Sequence, residues 1–178
     1  MNDSKTNAGQ IALQVARDGM RAFEKELNKK MKTIIAESDS LTPQPDSTQR
    51  EAVIDGMVQQ MGEGYDEGVF MIKSFIECRA RFMSEKKLTK YGNTLMFTAD
   101  KMERCRDLTK KMAKEFWYLN VITVDSIYYV FRLTDRDGNW MMPFEARNVS
   151  VLKDINSTEK VLRDENFLDI KYARKFKL

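Results

Sequence analysis

Leu13, Ala16, Met20, Phe23, Leu27 and Ile34 recur three or four residues apart, with one skipped step. This spacing predicts a helix from about Ala8 to Glu37 with one apolar seam. Lys25, Lys29, Lys30 and Lys32 lie mainly beside the seam, and Lys30 falls where a regular coiled coil needs an apolar residue. The seam is expected to be covered either by the rest of the same domain or by another subunit.

Residues 38–47, which include Pro43 and Pro45, are expected to form a Pro/Ser-rich linker. Thr48 and Glu51 have capping-box spacing, so a second helix is expected through Val53, Ile54, Met57, Val58 and Met61. Gly62, Gly64 and Gly68 predict a break or hinge. The acids Glu63, Asp66 and Glu67 make this stretch unsuited to cradling phosphate. A third helix is predicted from near Asp66 to Glu85, burying Val69, Ile72, Phe75, Ile76 and Phe82. Residues 86–97 read as a loop with a short extended piece at Thr94–Phe97. A further helix is expected after Thr98, with Met102, Cys105, Leu108, Met112, Phe116 and Leu119 buried.

Beyond Asn120 the period becomes two. Ile127, Tyr129, Phe131 and Leu133 alternate with Tyr128, Val130, Arg132 and Thr134, which predicts a strand apolar on both faces. Residues 135–139 supply a turn, in which Gly138 can take a positive φ. Trp140, Met142 and Phe144 are expected on the return strand, and Pro143 favours an edge position. Val149–Leu152 is a further strand candidate, residues 157–166 read as helical, and residues 167–178 as an apolar and basic tail. The expected fold is one α+β domain over residues 1–178. Its N-terminal two-thirds are predominantly helical; a small antiparallel hairpin or meander, a short C-terminal helix and a tail follow.

Charge alters this picture more than composition does. The net charge of +3 resolves into −4 over residues 1–70, +6 over 71–120 and +1 over 121–178, so an anionic partner would dock at the middle of the chain. The chain has no histidine, which excludes Ser-His or Cys-His nucleophile pairs and His-ligated zinc. Cys78 and Cys105 form no metal or redox motif and read as reduced core thiols. The polar N-terminus and the absence of a long apolar run point to a cytoplasmic protein that does not enter a membrane.

Candidate chemistry is sparse. Arg79, Lys86, Lys87, Lys90, Lys101, Arg104, Lys111 and Lys114 are candidate nucleic-acid contacts, because phosphate binding needs several cations on one surface. Acids lie among them, as on an ordinary solvated helix. Residues 135–139 resemble a calcium loop only superficially, since Ala146 stands at the position of its final glutamate. Asp169 and Lys171 lie two apart in an apolar stretch. Metal-dependent nucleases place a cation-holding carboxylate and a water-orienting lysine in this way, but a second carboxylate, Asp154 or Asp164, would be needed. Of the 12 methionines, Met20, Met57, Met61, Met102 and Met112 fall on faces expected to be buried.

The resulting expectation is a non-enzymatic adaptor, assembly component or regulatory binder, with no cofactor or metal. Its partner would be a protein or a second copy, met through Leu13, Met20, Phe23, Leu27, Trp140 and Met141. The alternative is an accessory protein that binds DNA or RNA through residues 79–114.

Overall fold

The computed structural model describes residues 3–37, 54–61, 69–152 and 158–177. Its described elements run α1 (Asp3–Asn28), β1 (Thr33–Glu37), β2 (Gly56–Met61), β3 (Phe70–Arg81), α2 (Glu85–Lys90), β4 (Thr94–Thr98), α3 (Ala99–Lys111), β5 (Glu115–Ile122), β6 (Ile127–Thr134), β7 (Glu145–Leu152), β8 (Lys160–Asp169), a 3₁₀ turn (Ile170–Tyr172) and β9 (Arg174–Lys177). The expected helical N-terminal two-thirds is therefore corrected: the described residues form nine strands in two sheets.

The larger sheet has six strands in the order β1-β2-β3-β5-β6-β9. Strands β1, β2 and β3 make an antiparallel meander, and β5 lies parallel to β3 after a crossover through α2, β4 and α3. β6 and β9 extend this sheet antiparallel. The smaller antiparallel sheet has three strands in the order β4-β8-β7.

Both faces of the central strands are covered. On one face Ala16, Met20, Phe23 and Leu27 of α1 pack on Val58, Ile76, Cys78, Leu119, Val121 and Val130. On the other, Phe75, Phe116, Tyr118, Ile122 and Phe131 pack against Leu88, Leu95, Phe97, Met102, Cys105 and Leu168 from α2, α3 and the smaller sheet. The close approach of α1 depends on Gly19, where a Cβ would stand 2.5 Å from Val121 Cγ2.

Burial on both faces explains the largest corrections. The stretches read as helices over 53–61 and 66–85 contain β2 and β3. A strand buried on both sides lacks strict alternation, and its continuous apolar run mimics a helix. The α1 helix ends at Asn28 rather than Glu37. Asn28 closes it by donating from Nδ2 to Glu24 O (2.9 Å) and Thr33 O (2.8 Å), while Oδ1 accepts from Thr33 N at 2.8 Å. The chain then enters β1 through Thr33 and the β-branched Ile34 and Ile35.

The α3 helix begins after Thr98 as expected but stops at Lys111, and Ala113 turns the chain at φ +50. Phe116 and Leu119 consequently belong to β5, and Met112 is exposed. Gly138 has φ +79, as its turn requires, and Asp135 Oδ1 accepts from Asp137 N (2.9 Å) and Asn139 N (2.8 Å). The return through Trp140 is a single bridge to Thr134 rather than a strand. The strand that follows, β7, joins the smaller sheet. Residues 157–166, read as a C-terminal helix, contain most of β8, and the tail contains β9, paired to β6. The linker at 38–47, the capping box at 48–51 and the glycine break at 62–68 lie outside the described residues.

Candidate functional site

Alternation along β3 places Phe75, Glu77, Arg79 and Arg81 on the face towards α3 and the smaller sheet, while Ile76 and Cys78 face α1. Asp55, immediately before β2, joins them through the ladder. Its N–H donates to Ile76 O at 3.0 Å, and its Oδ2 accepts from Cys78 N at 2.8 Å. On the adjacent parallel strand Tyr118 pairs with Glu77 and Asn120 with Arg79. These polar groups occupy the layer between the larger sheet and α3.

Lys101, in the first turn of α3, completes the cluster with Nζ 2.6 Å from Glu77 Oε1. The Glu77 side chain is 3% exposed and that of Lys101 15%. Burial, reinforced by the nearby Asp55 charge, pushes the Glu77 carboxyl up to about 8, and Lys101 opposes the rise. Glu77 Oε2 and Asn120 Nδ2 are buried without hydrogen-bond partners. Such an acceptor and donor are costly unless a ligand or water meets them.

Arg79 is half-buried. Burial opposes its charge, but Tyr118, Glu77, Glu165 and Asp55 more than offset this and hold its pKa above the ordinary value. Glu165, reaching in from β8, accepts a hydrogen bond from Thr98 Oγ1 at 3.1 Å. Arg81 ties the layers together: Nε donates to Asn120 Oδ1 at 3.0 Å, and Nη2 donates to Tyr118 Oη at 2.9 Å and to Met96 O.

The eight cations expected to meet phosphate do not share one surface. Arg79 and Lys101 enter this interior cluster. Lys86, Lys87 and Lys90 are exposed on α2, whereas Lys111 is exposed at the end of α3 and Lys114 is half-buried. Arg104 is exposed and paired with Asp100 at 3.1 Å.

Met20, Phe23 and Leu27 are buried against the chain's own sheet, and Leu13 packs at the edge of the same cluster. Trp140 lies under the Arg106 guanidinium at 5.2 Å and edge-on to Phe144. Met141 is exposed.

Asp169 and Lys171 satisfy each other: Oδ1 accepts from Lys171 N at 2.9 Å, and Oδ2 lies 3.0 Å from Nζ. Asp164 is engaged with Asn148 Nδ2 at 2.8 Å, and Asp154 lies outside the described residues.

The carboxylate–spacer–cation pattern sought at Asp169 recurs at Glu77 and Arg79, where the strand assignment makes it meaningful. There the second carboxylate is present as Asp55 and an amine as Lys101. Residues two apart share a face in a strand, whereas a helix would point Glu77 and Arg79 about 200° apart. The missed signal was therefore the β-branched and aromatic content of residues 69–76.

Among the described residues, no three His, Cys, Asp or Glu side chains converge as a metal cage. Two carboxylates suit magnesium, which keeps waters and takes substrate oxygens, better than zinc. No described helix is long and apolar enough to cross a membrane. No protein-family model, curated protein or solved structure matches this chain.

Proposed function

We propose that the chain catalyses metal-dependent hydrolysis of phosphodiester bonds in nucleic acid at Asp55, Glu77, Arg79 and Lys101. The observation that carries this reading is Glu77. Its Oε2 is buried without a partner, while Oε1 holds an ammonium group, and the second carboxylate, Asp55, lies near it just before the neighbouring strand.

Asp55 and Glu77 would hold a divalent cation such as magnesium. When bound, that ion supplies Lewis-acid polarisation of the phosphate and lowers the pKa of an attacking water. Arg79 supplies fixed positive charge for the extra negative charge of the pentavalent phosphorus, and Lys101 orients the attacking water. The new P–O bond forms from water, which releases a proton to solvent, as the ester P–O bond breaks, and the leaving oxygen takes a proton from solvent. Glu77 is almost wholly buried under α3, with Lys101 Nζ 2.6 Å from its Oε1.

Incubation of the purified chain with labelled single-stranded and duplex DNA and RNA, in magnesium or manganese, tests the reading. Cleavage that disappears with Asp55→Asn and with Glu77→Gln is expected. No cleavage of any substrate in either metal would overturn it, as would full activity in Glu77→Gln.

Protein association is a second reading, supported by the β7–β8 hairpin. β7 is an edge strand, and Leu152 and Leu162 are 50% and 74% exposed. Light scattering over a concentration series tests self-association; a monomer throughout would remove that form of it.

A further inference from the structure

Two stretches of chain distant in sequence meet beyond the end of β3: α2 with the turn at Tyr91–Asn93, and the 3₁₀ turn with β9. Thr94 pairs with Asp169, and Ile170 N donates to Asn93 O at 2.9 Å. Lys175 Nζ reaches Glu85 Oε1 at 2.5 Å, and Tyr129 Oη donates to the same oxygen. These contacts bring the exposed Lys86, Lys87 and Lys90 of α2 into the same region as Lys171 and Lys175.

The acids here are engaged locally. Asp169 binds Lys171, Glu85 binds Lys175, and Asp125 Oδ2 accepts from Glu85 N at 2.5 Å. Among the described residues Lys86, Lys87 and Lys90 make no ion pair, so the surface keeps an excess of positive charge. Two aromatic rings lie among the lysines: Tyr91 is 60% and Tyr172 44% exposed. Exposed rings of this size are a cost to a surface that only solvates itself. Set among lysines, they match the way proteins hold unpaired bases and their backbone.

We infer that this surface binds single-stranded nucleic acid, with Lys86, Lys87 and Lys90 on phosphates and Tyr91 and Tyr172 stacking on bases. The inference takes its purpose from the proposed hydrolysis but not its chemistry. An extended chain places Glu85 at most about 29 Å from Glu77, so the two sites lie within the span of one bound strand. The binding surface is thus built from α2 and the C-terminal segment, not from residues 79–114 as a block.

Anisotropy of a labelled single-stranded oligonucleotide, read over a salt series without divalent metal, tests the inference. The triple variant Lys86→Glu, Lys87→Glu, Lys90→Glu should bind roughly tenfold or more weakly, with a salt slope smaller by about 2. Tyr91→Ala with Tyr172→Ala should weaken binding roughly fivefold or more. Arg104→Glu with Lys111→Glu, on α3, should lose clearly less. All these side chains are exposed, and thermal melts confirm folding.

No binding by the native chain at low salt overturns the inference, as does an unaffected triple variant or a preference for duplex. Glu77→Gln separates the two proposals. Retained binding with lost cleavage supports both, whereas retained binding with retained cleavage keeps the surface and removes the hydrolytic site.

Discussion

Lys101 Nζ on α3 lies 2.6 Å from Glu77 Oε1 on β3, joining two nearly buried opposite charges across the layers of the fold. Breaking one partner leaves the other uncompensated, whereas removing both does not. Lys101→Met should therefore destabilise the protein by about 3–5 kcal/mol at pH 9. The loss should be smaller at pH 6, where Glu77 can take up a proton. The double variant Lys101→Met, Glu77→Gln should recover most of it. Urea denaturation at both pH values checks this; equal losses in the single and double variants would show that the pair is not coupled.

The Glu77 carboxyl rises from an ordinary 4.5 to about 8 because it is buried beside Asp55. The folded state then holds the proton more tightly than the unfolded state does. Glu77's contribution to stability is fully present below about 4.5 and is lost as pH rises through about 8. Melting temperatures should show this decline in the native chain and a flatter profile in Glu77→Gln. Glu26 and Glu85 act in the opposite window. Their hydrogen bonds, to Lys29 first and to Lys175 first respectively, lower their pKa values, so their contribution is lost as pH falls into the acid range.

Gly19 allows α1 to approach β5, since a Cβ there would meet Val121 Cγ2 at 2.5 Å. Gly19→Leu should cost about 1–3 kcal/mol through overpacking, although leucine is the better helix former. A shift in the urea midpoint measures the cost. No shift would mean that α1 does not pack on Val121.

Cys78 and Cys105 are free and buried, and burial pushes both thiols far above their ordinary range. Neither should react with a thiol reagent in the native protein at pH 8, and both should react in urea. Mass spectrometry reads the labelling. Rapid native labelling at Cys105 would contradict the packing of α3 on the larger sheet.

The local elements that could be read directly are those in which one face decides the pattern. The α1 seam from Ala16 to Leu27, the start of α3 after Thr98 and the short strand at Thr94 each meet one dominant packing surface, and β6 shows its period of two directly. The turn at Gly138 follows from its positive φ and the Asp135 side chain, both local in origin. β2, β3, β5 and β8 were misread because their burial is set by layers contributed from far along the chain. Phe75 and Ile76, adjacent in sequence, enter different cores.

The same distinction governs the candidate chemistry. The sequence by itself determined the absence of histidine, the reduced character of the two cysteines and the basic excess over residues 71–120. It also contained the acidic–spacer–cation pattern, at Asp169 and Lys171 and again at Glu77 and Arg79. Only the tertiary structure sets their different surroundings. Asp169 closes on its own lysine, whereas β2 and α3 bring Asp55 and Lys101 to Glu77 in an interior where water cannot screen their charges. The physical reason is that a residue's charge is written in the chain, but its solvation and its neighbours are set by elements that pack across it.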